Sequence, residues 1–235
     1  MSVLYLIRHG QASFGQPDYD KLSETGLWQA RELGRHLSEK AMKADTVFSG
    51  TMKRQSGTAR ELGAEFLKKG LFWPDVQENS LLNEFDHRKV VQCYLNNDSE
   101  KRAEWEAILS DPQGSTSQRF ETAFGKALER WASGEFDADY PESWQTFRER
   151  CRTALTTMMD NSGSSKNILA FTSGGVISVM CGLLLNISAT ETFKMNQVIV
   201  NSSVTAVKFG RDRVSLWYFN NFSHLEHHPE RVTYR

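Results

Sequence analysis

The sequence predicts an α/β fold: a three-layer α/β/α sandwich around a largely parallel sheet, with a hairpin at the sheet edge and a helical insertion. Three observations predict it. Short apolar runs alternate with longer segments of helical spacing, the pattern of strands joined by crossover helices. The runs at 3–7, 46–48 and 167–171 each stop at a polar or glycine-containing turn. Two apolar runs late in the chain are joined only by Gly210-Arg211-Asp212-Arg213, a link short enough for a hairpin.

Taken in order, Val3 to Ile7 is the first strand, and it ends abruptly in Arg8-His9-Gly10. A polar segment with Gly15, Pro17 and Asp18 reads as a loop. Ser23 then N-caps a helix from about Glu24 to Lys40, with Ala30, Leu33 and Leu37 spaced to face a core. Thr46-Val47-Phe48 is a second strand stopping at Ser49-Gly50, and a helix from about Lys53 to Lys69 presents Ala59, Leu62 and Phe66 on one face. Val76 to Leu82 is a candidate third strand. From about 85 to 140 the composition turns helical, rich in Trp, Phe and Arg, with breaks at Asn96-Asn97-Asp98 and Asp111-Pro112-Gln113-Gly114; it reads as an insertion covering the sheet edge. Ser143 caps a helix to about Asp160, and Asn161 to Ser165 is a loop. Asn167 to Phe171 is a strand ending at Thr172-Ser173-Gly174-Gly175, followed by an apolar helix from Val176 to Leu185. Ser203 to Phe209 and Val214 to Phe219 form the hairpin.

At 235 residues the chain is long enough for one elaborated domain, read here as a single domain with the insertion at about 85–140. Twenty-eight basic against 29 acidic residues leave a net charge of −1, so no bulk electrostatic case exists for nucleic acid or an anionic membrane. Cys93, Cys151 and Cys181 lack the pairings of a zinc site or a disulfide framework and are expected as buried small side chains. Without a basic n-region and apolar h-region, and without a run of spanning length, a cytoplasmic location is expected. The sequons at Asn97, Asn201 and Asn221 carry no meaning without secretion.

Sites in such folds gather at the carboxyl ends of parallel strands, where Arg8-His9, Ser49-Gly50 and Thr172-Ser173 fall. Arg8 offers a planar fork of donors suited to phosphate, His9 a nitrogen that is nucleophilic at neutral pH, and Gly10 a close backbone approach. Read alone, the tripeptide fits a phosphoryl site and a solvated turn equally. Arg54 falls in the opening turn of the second helix, where a guanidinium and free backbone donors converge on one anion; by itself it reads as a solvated helix residue. Gln11 and Ser13 can donate from the loop after His9, with loop solvation the equal alternative. His36, His227 and His228 read as solvated. Arg88, Lys89, Arg102, Trp105, Arg119, Trp131 and Trp144 fit helices packing on a core better than a pocket lining.

Leu4-Tyr5-Leu6-Ile7-Arg8-His9-Gly10-Gln11, Leu22 to Ala30 and Phe48 to Ala59, followed by Leu81 to Phe85 and Phe171 to Gly175, together resemble the histidine phosphatase superfamily, also called phosphoglycerate mutase-like. The resemblance touches nearly the whole chain and implies the phosphoglycerate mutase-like fold. It also implies roles: His9 attacks phosphorus, Arg8 and Arg54 hold the oxyanions, and Glu84 protonates the leaving group. Without it, a glutamate after a strand is ordinarily a surface residue, and Phe85-Asp86-His87 departs from the arginine and glycine usual there. The chain departs again at Ser173, where most members carry a second histidine. Ser173 can still donate one hydrogen bond, and Gly174 and Gly175 keep backbone donors at a helix start. A neutral donor in place of a charged one costs about 1–2 kcal/mol, roughly 5- to 30-fold in rate. His224 and His87 are alternative suppliers of the missing imidazole.

The resemblance therefore implies a metal-independent phosphomonoester phosphatase acting through a phosphohistidine, slowed or specialised by Ser173, with no cofactor and with a small phosphorylated metabolite or phosphate as partner. Mutase-type phosphoryl transfer and a noncatalytic phospholigand-binding module are the alternatives. Neither the substrate nor the oligomeric state is legible in the sequence.

Overall fold

The computed structural model describes residues 1–13, 18–96, 98–111, 115–160, 165–211 and 213–234. The expected loop at Gly15 and Pro17, the break at 112–114, residues 161–164, Asn97 and Asp212 of the hairpin turn lie outside the described residues. In chain order the elements begin β1 (Ser2–Arg8), α1 (Glu24–Glu39), β2 (Thr46–Ser49), α2 (Lys53–Lys68) and β3 (Val76–Glu78). Then come α3 (His87–Leu95), α4 (Ser99–Ser110), α5 (Thr116–Ser133) and α6 (Trp144–Asp160). They close with β4 (Asn167–Thr172), α7 (Gly174–Leu185), α8 (Ala189–Val198), β5 (Val204–Gly210) and β6 (Arg213–Asn221).

The six strands form one sheet in the order β3-β2-β4-β1-β5-β6. β3, β2, β4 and β1 run parallel, whereas β5 pairs antiparallel with both β1 and β6. The result is the three-layer α/β architecture expected, with the hairpin at one edge. Alternation along the strands builds both faces. Ile7, Val47, Leu169 and Phe171 meet Leu33 of α1 and Ala59, Leu62 and Phe66 of α2 in one core cluster, while Leu4, Leu6, Ile168 and Ala170 are buried as well. Each fully buried Leu or Phe contributes about 1.5–3 kcal/mol by leaving water.

The structure differs from the sequence reading in three places, one of them α8, which the sequence reading did not contain. The third strand stops at Glu78 instead of running to Leu82, and Ser80–Leu82 forms a 3₁₀ turn. The reason is local: Asn79 accepts a hydrogen bond from the Leu81 amide, which turns the chain and drives Leu82 into full burial. α7 also begins two residues earlier than its apolar run, at Gly174. Ser23 caps α1 through the Gly26 amide, and Ser143 accepts from the Thr146 amide at the start of α6.

The chain divides into two compact units, 1–84 with 151–235, and 85–150. The second unit contains α3, α4, α5 and the first turns of α6, and its core is aromatic. Phe85, Trp131 and Phe147 pack in tilted and edge-to-face pairs with centroids 4.8–5.7 Å apart, and the Trp131 indole donates to the Glu142 carbonyl. Trp131 and Trp144 are buried there, whereas Arg88, Lys89 and Arg102 are exposed. Cys151 and Cys181 are buried and Cys93 is partly so. Among the described residues no helix is long and apolar enough to cross a membrane.

Candidate active site

Register brings the strand ends together. Arg8 on β1 pairs with Thr172 on β4, so His9 and Ser173 leave the sheet side by side, and the His9 amide donates to the Thr172 carbonyl at 2.9 Å. The Gly50 amide at the end of β2 donates to the Phe171 carbonyl at 3.0 Å. Three strand termini thus share one rim.

His9 is buried, and its ring orientation follows from its two partners. Nδ1 lies 2.7 Å from the Gly10 carbonyl, which accepts only, so Nδ1 carries the proton. Nε2 therefore keeps its lone pair and accepts from Arg54 Nε at 3.0 Å. Burial and the neighbouring Arg54 and Arg8 cations hold the His9 pKa well below the ordinary histidine value, against the pull of the Gly10 carbonyl. The imidazole is thus neutral at physiological pH, with Nε2 unprotonated. Its main chain is fixed as firmly: the His9 carbonyl accepts from the Ser202 amide at 3.2 Å and from Asn201 Nδ2 at 3.1 Å. Gly10 is required by close approach, since a Cβ there would overlap the Gly26 carbonyl and one on Gly26 would overlap that of Gln11.

Arg54 stands in the first turn of α2, nearly buried, where its Nη1 meets Asp20 Oδ1 at 2.6 Å. The other Asp20 oxygen accepts the Lys53 amide at 2.8 Å, supplying a cap that Met52 does not provide. Thr58 ties this helix to the loop after β1: it accepts the Gly10 amide at 3.0 Å and donates to the Arg54 carbonyl at 2.7 Å. Arg8 spreads its fork over the Ile199 carbonyl and, at 2.8 Å, the Tyr234 carbonyl, leaving a buried Nε without a hydrogen-bond partner among the described residues. Burial pulls its pKa down to about 10, opposed by Glu84, so it remains charged at neutral pH.

Glu84 arrives from the 3₁₀ turn, and its Oε2 accepts the Gly175 amide at the start of α7 at 2.9 Å. The turn is held by the Leu82 carbonyl, which takes the Thr172 hydroxyl at 2.6 Å and Gln55 Nε2 at 3.0 Å. Ser173 is fully buried, and its Oγ accepts from the same Gln55 nitrogen at 2.8 Å. A Cβ on Gly174 would meet the tip of the Asn196 side chain and lie beside Arg8 Nε. The fold thus gathers Arg8, His9, Arg54, Glu84, Ser173 and Gly174 at one rim. Gln11 serves the scaffold, accepting from the Ser23 hydroxyl at 2.8 Å and giving its amide to Gln29 Oε1 at 2.9 Å. The Ser13 amide bonds the Lys21 carbonyl at 2.8 Å. His87 opens α3 in the second unit.

His224 is held behind the His9 main chain, with Nε2 2.8 Å from Ser202 Oγ and its ring 6.2 Å from that of His36. Burial, with His36 beside it, pulls its pKa down to about 3. The sign follows: the unfolded chain protonates this imidazole near pH 6.5 and the folded chain does not, so stability is full above pH 6.5 and is lost as pH falls toward 3. The slope is about 1.4 kcal/mol per pH unit for one such group. His9 acts in the same direction. Urea unfolding of wild type and His224→Gln between pH 7 and 5 is expected to show a shallower acid loss in the variant.

Asp20, Gln55, Thr58, Gln29 and Asn201 carry no distinguishing signal in the sequence. They are polar residues in loops or helices whose partners lie far along the chain. The family-like runs Leu22 to Ala30 and Phe48 to Ala59 contained Gln29, Gln55 and Thr58 without assigning them these contacts.

Residues 4–114 and 106–221 match the histidine phosphatase superfamily (branch 1). A stretch of 92 residues, 36% of this chain, is 33% identical to a 2,3-bisphosphoglycerate-dependent phosphoglycerate mutase of Bradyrhizobium diazoefficiens and spans only 42% of that enzyme's length. A phosphoserine phosphatase variant from Entamoeba histolytica, in complex with phosphoserine, is similar in fold at a TM-score of 0.64 and 19% identity, covering 96% of this chain and 100% of its own. Phosphoglycerate mutase from Bacillus anthracis gives 0.65 at 17% identity, with 95% of each chain covered. A mycobacterial glucosyl-3-phosphoglycerate phosphatase gives 0.59 at 22% identity, covering 93% of this chain and 98% of its own. The structural likenesses are ones of fold, while the family match runs from within β1 to the last residue of β6: the chain belongs to the histidine phosphatase superfamily.

Proposed function

We propose that this protein is a metal-independent phosphomonoester phosphatase that works through a phosphohistidine on His9 and acts on a small phosphorylated metabolite. The observation that carries the reading is the contact between His9 Nε2 and Arg54 Nε, 3.0 Å apart. It joins a neutral, buried nucleophile to a guanidinium in a helix's first turn, the requirement for attack on one tetrahedral anion.

In this scheme an entering phosphate offers Arg54 an oxygen in place of the imidazole nitrogen, which frees the Nε2 lone pair for phosphorus. The bond from Nε2 to phosphorus forms as the bond to the leaving oxygen breaks. Arg8 and Arg54 balance charge on the equatorial oxygens, and Glu84 gives the departing alkoxide its proton. Water, giving a proton to the Glu84 carboxylate, then attacks phosphorus as the bond to Nε2 breaks, releasing phosphate and restoring both His9 and the Glu84 acid. Ser173 and the helix-start glycines supply neutral donors where most relatives are expected to place an imidazolium. The reaction is thereby slowed about 5- to 30-fold rather than abolished.

The 33% identity to a phosphoglycerate mutase favours a second reading, phosphoryl return to a sugar acid instead of water. A noncatalytic phospholigand module is the third outcome. Hydrolysis of p-nitrophenyl phosphate in chelator, beside calorimetric titration with inorganic phosphate, separates the three. Turnover with phosphate as competitive inhibitor supports the phosphatase. Interconversion of phosphoglycerates exceeding hydrolysis indicates the mutase, and binding without turnover rejects both.

A further inference from the structure

A serine at the N-cap of a helix ordinarily turns its hydroxyl back to accept an amide of the first turn. Ser173 caps α7 in position only: its side chain makes no such bond, and Glu84 takes the Gly175 amide instead. The hydroxyl is fully buried and engaged by Gln55, itself fully buried. The orientation of the Gln55 amide is dictated by a third group. The atom 3.0 Å from the Leu82 carbonyl must be the nitrogen, because two carbonyl oxygens would repel there. That same nitrogen lies 2.8 Å from Ser173 Oγ, so both of its hydrogens are spent, one on each acceptor. Gln55 Oε1, on the far side, fills the space that a Cβ on Gly50 would occupy and has no hydrogen-bond partner among the described residues.

We propose that Gln55 is a positioning residue: by donating to Ser173 Oγ it makes that hydroxyl an obligate donor, aimed at the phosphate bound beside His9. The inference rests on the phosphoryl-site reading and deepens it. An O–H already accepting one hydrogen bond is polarised and gives a stronger one. Its proton cannot point at Gln55, and the hydroxyl donates to no group among the described residues. What surrounds the residue is the site: His9 in strand register, Arg8 Nε against Gly174, and Glu84 on Gly175. The Gln55–Ser173 pair is thus this chain's neutral counterpart of a charged imidazole. The amide supplies the polarisation, and the hydroxyl supplies the contact.

A double-mutant cycle of Gln55→Met, Ser173→Ala and the double variant tests this, read as inorganic phosphate affinity by calorimetry and as kcat and KM for p-nitrophenyl phosphate. Each single variant is expected to weaken phosphate binding and lower kcat about 5- to 30-fold. Gln55→Met is expected to add nothing further in the Ser173→Ala background. An equal loss in both backgrounds overturns the proposal, because a merely structural glutamine acts regardless of Ser173. Should Gln55→Met not fold, Gln55→Ala closes the same cycle, since the Leu82 carbonyl keeps the Thr172 hydroxyl. Unchanged phosphate affinity in Ser173→Ala alone also overturns it. The binding arm needs no turnover, so equal hydrolysis by wild type and His9→Ala would sink the phosphatase reading while this cycle still reported on Gln55.

Discussion

Replacing His9 with alanine is expected to lower p-nitrophenyl phosphate hydrolysis in chelator on the order of 10³-fold or more, the usual scale for loss of a nucleophile. Folding should survive, because the side chain is anchored by one carbonyl and one arginine while the main chain is held independently by Thr172, Ser202 and Asn201. Quenched wild-type enzyme should carry acid-labile phosphate, and the variant none. Equal rates in the two proteins would reject His9 as the nucleophile. The pH profile carries a second signature. Since His9 titrates well below the ordinary histidine range, its protonation should leave no acid limb near pH 6.5 in the wild type.

Arg54→Ala is expected to cost about 10²–10³-fold in kcat/KM, the scale for removing one preorganised donor from a developing oxyanion. The substitution also removes a cation that depresses the His9 pKa. That pKa should therefore rise, and an acid limb should move up toward neutrality. Arg54→Lys is expected to rescue little. One ammonium cannot reproduce the fork that spans Asp20 and His9, 2.6 Å and 3.0 Å from two different nitrogens. An Arg54→Ala enzyme with unaltered kcat/KM and an unmoved pH profile would remove Arg54 from the phosphate.

The sheet and the Arg8-His9 strand end were legible in the sequence because both rest on local signals. Apolar runs ending in Arg8-His9 and Thr172-Ser173 are visible one strand at a time, and their meeting follows from the rule that parallel strands present their carboxyl ends together. Leu82 illustrates a limit: an apolar residue after a strand extends the apparent run, and only the Asn79 side chain decides that the chain turns there. Asp20 illustrates another. A carboxylate in a polar loop looks solvated until folding places it on Arg54 and the first amide of α2. Gln55 was hidden for the same reason, its partners Leu82 and Ser173 lying 27 and 118 residues away.

The pairing of the first strand has a consequence for how the molecule is made. β1 lies between β4 and β5, whose residues begin at 167 and 204, so its neighbours leave the ribosome long after it does. Until those strands emerge, the segment Ser2–Arg8 is an apolar strand with both edges unpaired, a state that invites association with other chains. Because closing such long loops slows folding, assembly of this rim should be a late event on the pathway. Catalytic competence would then report completion of the central sheet rather than formation of the early helices.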